Sequence, residues 1–308
     1  MENKTIGYES LEQCTLCPRN CKVNRNEGKK GYCKETSMVV IARAALHYWE
    51  EPCISGEAGS GAVFFSGCAM GCVFCQNKKI AAGIIGHEIT IERLVDIFFE
   101  LKQQGALNIN LVTGSHYVPQ IIAAMKQARE RGFDLPFVYN CSGYEKVETI
   151  RELEGYIDIY LPDFKYYDDA IAMKYSKAKD YFSYASTALA EMVRQVGEAS
   201  FDEDGMMKRG VIVRHLQLPG HIEDSKKIIE YLYQTYHDTI FISIMNQFTP
   251  LEGLEGFPEL NRKLNEDEYD ELVDYAIDLG VENGFIQEGE TASESFIPEF
   301  DYTGVDAK

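Results

Sequence analysis

The sequence predicts an α/β protein: a shortened (β/α) barrel, open on one side, that follows a short cysteine-rich segment. Short apolar runs alternate with stretches of helical periodicity, a pattern typical of parallel βαβ units. From Val63 onward the sequence shows six strand–helix pairs and one further strand, fewer than the eight pairs of a closed barrel. The 308 residues are 45% apolar, which suits one large domain or two small ones.

The individual elements are predicted from apolar spacing and from caps. Thr90 is a suitable N-cap for a helix whose apolar residues recur from Ile91 to Leu101, and Gly105 ends that helix. The acidic stretch 198–204 is predicted to be a solvated loop. Further helices are predicted at 121–131, 147–153, 187–196, 224–236 and 266–279. Strands are predicted at 62–65, 109–113, 136–139, 157–161, 211–214, 240–244 and 284–286.

Charge and hydropathy argue against two classes of partner. The chain has 49 acidic and 30 basic residues and a net charge of −19, which repels a phosphate backbone, so we expect no nucleic-acid partner. No run approaches the roughly 20 apolar residues of a membrane span, and the first residues lack the apolar core of a secretory signal. We therefore expect a cytoplasmic protein without a membrane partner, divided into a cysteine-rich segment, 1–55, and a barrel, 56–308.

Three of the nine cysteines lie within eight residues on a loop after a predicted strand: Cys68, Cys72 and Cys75. In a reducing compartment, clustered thiols are metal ligands or catalysts more often than disulfides, and thiolates select zinc or iron–sulfur clusters. A structural zinc takes four protein ligands, so its fourth ligand would come from elsewhere, for instance Cys53, Cys141 or a histidine. Three thiolates on a four-iron cluster instead leave one iron open to substrate. The spacing alone is compatible with both centres.

Polar residues follow five of the predicted strands, at their carboxyl ends. In barrels of this class function is located at that end, so we expect these residues to share one pocket. His116, His215 and His221 lie near its predicted mouth, either as contacts for a ligand or as hydrogen-bonded structural residues. The polar stretches are 113–116, 140–144, 163–165, 214–215 and 245–250.

A second group of four thiols precedes the barrel: Cys14, Cys17, Cys21 and Cys33. Four thiols in twenty residues, with proline and glycine to turn the backbone, suit one tetrahedral centre. The segment is short and polar, so a metal would supply much of its local order. Zinc and a second iron–sulfur cluster are both compatible with this site. A closed four-thiolate site favours a structural role over an electron relay.

The loop around Cys68, Cys72, Phe74 and Cys75 resembles the signature of radical S-adenosylmethionine (SAM) enzymes, in which an aromatic residue precedes the last cysteine. The resemblance implies a (β/α)6 partial barrel in which these three cysteines hold a [4Fe–4S] cluster. It also implies that SAM chelates the fourth iron through its amino and carboxylate groups. The backbone of Phe74 would then lie near the adenine.

Within that superfamily the chain looks most like the pyruvate formate-lyase activating enzyme group. Residues 163–165, Asp-Phe-Lys, are similar to the Asp-x-Lys that helps to hold SAM in that group, which implies SAM contacts for Asp163 and Lys165. Residues 140–143, with Asn140 and Ser142, fall where those enzymes carry Thr-Asn-Gly near the ribose, and 213–220 resemble their Val-Arg-Tyr-x-x-x-Pro-Gly stretch.

The chain departs from that group at two positions. The Gly-Gly-Glu that receives the SAM amine is replaced by residues 113–116, so we expect the amine to meet backbone carbonyls, Thr113 or Ser115. The histidine that follows the sixth strand in many activating enzymes is also absent, and Asn246 and Gln247 occupy that region.

The resemblance implies a reaction in which a low-potential reductant of flavodoxin or ferredoxin type passes one electron to the cluster. SAM is then cleaved to a 5′-deoxyadenosyl radical that removes hydrogen from substrate. The substrate is predicted to be a glycyl-radical protein, with the enzyme as its activase. Two alternatives stay open: the same chemistry on a small molecule or peptide, and a non-catalytic iron–sulfur or zinc protein that transfers electrons or only binds metal.

Overall fold

The structure, a computed structural model, describes residues 8–287 and 298–306. In these ranges ten strands form one sheet, in which β7 pairs only with β8 and the other strands follow the order β10-β9-β8-β6-β5-β4-β2-β1-β3. The strands are β1 (Val39–His47), β2 (Ser60–Phe65), β3 (His87–Ile89), β4 (Ile109–Val112), β5 (Phe137–Cys141), β6 (Ile159–Pro162), β7 (Ser200–Phe201), β8 (Met207–Leu216), β9 (Phe241–Met245) and β10 (Gly284–Ile286).

The centre of the sheet is a parallel run from β2 to β10. Each strand of this run is parallel to its neighbour, whereas β1 is antiparallel to β2 and β3 is antiparallel to β1. All six residues of β2 are buried, as is typical of a parallel strand covered on both faces. Because β3 and β10 end the sheet without pairing with each other, the barrel is open there. The predicted partial barrel, open on one side, is confirmed.

Helices alternate with the parallel strands. Thr90 caps α3 as predicted, because its hydroxyl accepts a hydrogen bond from the Arg93 amide at 3.1 Å. None of the described helices is long and apolar enough to cross a membrane. The α-helices of the described ranges are α1 (Pro52–Ser55), α2 (Lys78–Ala81), α3 (Ile91–Gln103), α4 (Val118–Glu130), α5 (Val147–Glu152), α6 (Asp169–Ser176), α7 (Tyr181–Val196), α8 (Ile222–Tyr236) and α9 (Glu266–Leu279).

Several elements differ from the sequence-based prediction. β1, β3 and α6 were not predicted, and α7 begins at Tyr181 rather than at residue 187. Tyr181 is fully buried against the rings of Tyr144, Phe164 and Tyr166, so packing rather than helix propensity decides where this helix begins. The prediction of a loop at 198–204 was wrong in part, because β7 lies there and pairs with β8.

β1 connects the segment before residue 55 to the barrel. It pairs with β2 along most of its length, so the sheet includes residues on both sides of the predicted boundary at 55. Residues 8–38 contain turns and two 3₁₀ helices, Tyr8–Leu11 and Arg25–Glu27. Buried Arg25 donates hydrogen bonds to the carbonyl oxygens of Thr36 and, at 2.6 Å, of His116. The division into two domains stays a prediction.

Candidate active site

A cavity of about 560 Å³ lies at the carboxyl ends of the parallel strands. Its volume is within the range of small-molecule and cofactor sites. The loops after β2, β4, β5 and β6 and the ends of β8 and β9 supply its walls. The structure brings together here nine of the predicted site residues: Cys68, Cys72, Phe74, Cys75, Thr113, Asn140, Ser142, Asp163 and Lys165.

The loop after β2 brings three half-buried thiols to this cavity, those of Cys68, Cys72 and Cys75. Burial, and then the neighbouring Cys72 thiol, raise the pKa of Cys75 to about 11. Burial and both neighbouring thiols also raise the pKa of Cys68. These two thiols therefore stay protonated at neutral pH unless a bound cation stabilises the thiolate form.

Two glycines allow this loop to pack against the cysteine-rich segment. Gly67 has φ +82°, and a Cβ there would lie 2.5 Å from the carbonyl oxygen of Cys33 and from the side chain of Glu35. A Cβ on Gly71 would collide with the Tyr32 hydroxyl. The path of the loop therefore requires glycine at position 67, whereas a side chain at position 71 would displace the Tyr32 hydroxyl.

The donor set fits a cluster that takes three protein thiolates. Cys53 does not line the cavity and is buried in a separate apolar cluster. Cys141 does line it, but its buried thiol faces the Glu145 carboxyl. Neither cysteine therefore completes a four-thiolate zinc site. Within the described ranges, no group of three His, Cys, Asp or Glu side chains is arranged to hold a single metal ion.

An ion pair lies beside the thiols. Lys165 Nζ is 2.5 Å from an oxygen of Asp163, and both side chains are largely buried. Burial alone would lower the pKa of Lys165, but Asp163 and the nearby Cys72 outweigh it and raise that pKa. Lys165 is therefore a fixed positive charge next to the three-thiol loop. The pair is suited to bind a ligand that carries both an amine and a carboxylate.

Ser115 is the one predicted SAM contact that does not line the cavity. It is buried, and its hydroxyl donates to Oε1 of Glu145 at 2.5 Å. Burial raises the pKa of Glu145 to about 7, although hydrogen bonds from Ser115 and Cys141 lower it. Thr113, with φ +62°, stays at the cavity wall. The two residues proposed for the SAM amine therefore have different surroundings.

Two of the three histidines near the predicted mouth are buried structural residues. His116 hydrogen-bonds the Ser66 carbonyl at 2.7 Å, and burial lowers its pKa to about 3. His215 bonds the Phe164 carbonyl at 2.8 Å, and burial lowers its pKa to about 4. His221 is half-buried and lies 2.7 Å from the Tyr175 hydroxyl. None of the three lines the cavity.

Sequence reasoning missed a pair of carboxylates that also line the cavity, those of Glu50 and Glu51. Glu50 and Glu51 both form ion pairs with Arg214 on β8, the second at 2.6 Å, and Asn110 donates to Glu50 at 2.7 Å. Burial would raise the pKa of Glu51, but Arg214 lowers it overall. The two adjacent acidic residues before Pro52 could be seen in the sequence. Nothing in the neighbouring sequence, however, indicated that they pair with an arginine on β8.

The four other thiols form a separate group, outside the cavity. Cys14, Cys17 and Cys33 are buried and Cys21 is half-buried. Burial, and the proximity of Cys33 and Cys14, raise the pKa of Cys17 to about 12. The Tyr32 amide donates to the Cys21 sulfur at 3.2 Å. The structure thus brings the four sulfurs near one another, but in the described ranges they are not arranged to hold a single ion.

The fold and the cavity define an open parallel barrel with a three-thiol loop at the carboxyl end of its first parallel strand. The model of the Radical SAM superfamily matches residues 62–232, more than half of the chain. The protein belongs to the radical SAM superfamily, and family membership implies a [4Fe–4S] cluster and SAM.

The chain is also similar to a relative in sequence and to solved structures, of which HydG supports the fold. The chain is 28% identical over 278 residues to the uncharacterized protein MJ0674 of Methanocaldococcus jannaschii, covering 88% of this chain and 76% of that one. Among solved structures, the [FeFe]-hydrogenase maturase HydG is similar with a TM-score of 0.51 and 14% identity, over 75% of this chain and 52% of that one. SuiB of Streptococcus suis bound to S-adenosylmethionine has a TM-score of 0.48 and 11% identity, and the match covers 77% of this chain and 51% of SuiB. The chain spans about half the length of these two solved structures.

Proposed function

We propose that Cys68, Cys72 and Cys75 hold the [4Fe–4S] cluster of a SAM-cleaving activase that removes hydrogen from a glycine of a partner protein. One observation carries the proposal: these thiols share a cavity with the ion pair of Asp163 and Lys165. Three thiolates leave one iron of such a cluster open to a ligand. The adjacent charges are suited to orient the amino-acid end of SAM on it.

The residues around the cavity bind and orient SAM, and they exclude water from it. The cluster and SAM, when bound, would supply one-electron chemistry: with an electron from a flavodoxin- or ferredoxin-type donor, SAM would yield methionine and an adenosyl fragment able to take hydrogen from substrate. Buried Met70, Phe74 and Phe248 form an apolar wall that keeps water out. We assign the ribose side to Asn140 and Ser142.

We assign the SAM amine to Thr113. Thr113 lines the cavity, whereas the Ser115 hydroxyl is already bonded to Glu145. Ser115 therefore acts on the SAM site only indirectly, by fixing the turn after β4.

The open side of the barrel supports a macromolecular substrate. The cavity is lined by residues 47–52, which follow β1, and by residues 285–287 of β10 and its end. These two stretches lie toward opposite ends of the unclosed sheet. Trp49 in the first stretch and Ile286 in the second are about half exposed. We propose that a polypeptide segment reaches the cavity between these stretches, beside Pro298, which also lines it.

The four-thiol segment is proposed to be a second metal site, with zinc or an iron–sulfur cluster on Cys14, Cys17, Cys21 and Cys33. The burial and mutual proximity of these thiols support it. Metal analysis of the Cys17→Ser variant tests the site, because it should lose this metal and keep the iron at Cys68. None of the nine cysteines forms a disulfide, and a reducing, cytoplasmic location is proposed.

The test of the main proposal is anaerobic reconstitution followed by dithionite and SAM. We expect the wild type to form 5′-deoxyadenosine and Cys68→Ala to form none. Cys53→Ala, which removes a buried cysteine away from the cavity, is the matched control and should keep activity. A protein with a full cluster that neither binds nor cleaves SAM would be a non-catalytic metal or electron-transfer protein, and the proposal would fail.

A second experiment tests the substrate. Incubation with a glycyl-radical protein encoded beside this one should produce a glycyl radical, visible by electron paramagnetic resonance (EPR). If SAM cleavage is instead stimulated by a small molecule or a short peptide, with deuterium transferred from it to 5′-deoxyadenosine, the enzyme modifies that molecule and is not an activase.

A further inference from the structure

Arg19 lies in the four-thiol segment, yet its side chain contacts the loop that carries the other three thiols. Its Nε donates a hydrogen bond to the carbonyl oxygen of Ala69 at 2.7 Å. Ala69 lies between Cys68 and Cys72. Arg19 itself lies between Cys17 and Cys21 of the other group. A residue of the four-thiol segment thus bonds directly to the backbone of the loop that carries Cys68, Cys72 and Cys75.

The other end of the guanidinium group bonds to the carboxyl end of α6. Nη2 donates to the Ser176 carbonyl at 3.1 Å, and Nη1 donates to the Lys177 carbonyl. These carbonyls have no partner within the helix, as is usual for its last turn. The same stretch holds the three-thiol loop directly, because the Ser176 hydroxyl donates to the Cys72 sulfur at 2.9 Å. The Val73 amide also donates to the Tyr175 carbonyl at 2.8 Å.

Aromatic rings fix the plane of the guanidinium. Its central carbon lies 3.9 Å from the ring centre of Tyr32 and 5.3 Å from that of Tyr144. Tyr32 precedes Cys33, and its hydroxyl lies against Gly71 of the three-thiol loop. A planar group with several donors in a fixed fork serves three carbonyls at once, which an ammonium group on a flexible stem does not reproduce.

We propose that Arg19 is a positioning residue through which the four-thiol segment fixes the three-thiol loop and thereby the open coordination site of its cluster. The inference rests on the proposed function for the identity of that cluster. Arg19 does not line the cavity and so acts through the main chain of Ala69 and through the end of α6. Its removal should loosen residues 68–75 while the barrel stays folded.

The experiment compares Arg19→Ala and Arg19→Lys with the wild type and with Arg209→Ala. Arg209 is the matched control, because it donates to the carbonyls of Val196 and Gln195 but contacts neither group of thiols. The first measurement is hydrogen–deuterium exchange of the amides in 68–75, and circular dichroism checks the fold. Loss of hydrogen bonds from a charged group should make exchange about tenfold faster in both Arg19 variants, and exchange should be unchanged in Arg209→Ala.

The second measurement is spectroscopic. In reconstituted, reduced protein, Arg19→Ala should lose iron to a chelator faster than the wild type and should show an altered EPR signal when SAM is added. Arg19→Lys should restore neither the rate of iron loss nor the EPR signal of the wild type. Wild-type exchange in 68–75 in Arg19→Ala, or full rescue by lysine, would overturn the proposal. If exchange rises but wild-type protein binds no cluster at Cys68, the proposed function fails and the positioning role stands.

Discussion

Glu145 is a buried carboxyl group without a positively charged hydrogen-bond partner. Its titration should therefore make the free energy of unfolding depend on pH. Burial raises its pKa from 4.5 to about 7, and its Oε2 has no hydrogen-bond partner among the described residues. The perturbation is Glu145→Gln, which keeps the shape of the side chain and an acceptor for the Ser115 hydroxyl but cannot ionise.

The magnitude follows from the difference between the two pKa values. At 1.36 kcal/mol per pH unit, a rise from 4.5 to about 7 corresponds to about 3 kcal/mol. Between these values the folded protein binds more protons than the unfolded chain, so the free energy of unfolding falls as pH rises and levels off above pH 7. The wild type should therefore lose about 3 kcal/mol from this group, most of it between about pH 4.5 and pH 7, and Glu145→Gln should not.

Urea unfolding of the reduced protein at several pH values measures this difference. The Glu145→Gln variant should gain stability over the wild type as pH rises. Glu148→Gln, an exposed position on α5, controls for the loss of one negative charge and should follow the wild type. Parallel curves for Glu145→Gln and the wild type would refute the reasoning, because they would mean that this carboxyl titrates normally in the fold.

Three further predictions concern a helix cap, the three-thiol loop and the cavity. Thr90→Ala should cost about 1 kcal/mol in urea unfolding, and Thr90→Ser should restore most of it. Gly67→Ala should destabilise the protein more than Gly132→Ala, because both glycines have φ +82° but only at Gly67 does a Cβ meet other atoms; iron content should fall only in the first variant. Asp163→Asn should keep the iron and weaken SAM binding at least about tenfold, as expected for a lost charged partner, measured by equilibrium dialysis.

Each of these predictions has a result that contradicts it. An unchanged urea midpoint in Thr90→Ala would mean that water replaces the cap. Equal losses in the two glycine variants would show that backbone strain alone, and not contact with Cys33, limits the loop. Wild-type SAM affinity in Asp163→Asn would remove that residue from the site.

The regular parts of the barrel were predictable because their signals are local. α9 begins and ends as predicted, since Asn265 and Glu268 form a capping box and Gly280 adopts the left-handed conformation after it. The three-thiol loop was equally clear, because its thiols lie within eight residues after an apolar strand. A short-range pattern is enough to predict an element or a loop when all the residues that define it lie in one segment.

The parts that were missed depend on contacts between distant residues. Glu50 meets Arg214 across 164 positions of sequence, and nothing in either neighbourhood indicates the pairing. Ser115 was expected at the SAM amine, but its hydroxyl turns toward Glu145, 30 residues away. Burial of both groups decides this geometry, and burial is a property of the assembled fold.

The contacts of Arg19 have a consequence for the order of folding. Its acceptors at the end of α6 lie 157 and 158 residues further along the chain. During synthesis, the four-thiol segment emerges from the ribosome well before these acceptors do, and such non-local contacts form late. We therefore expect the proposed cluster to be held stably by the three-thiol loop only after α6 has formed.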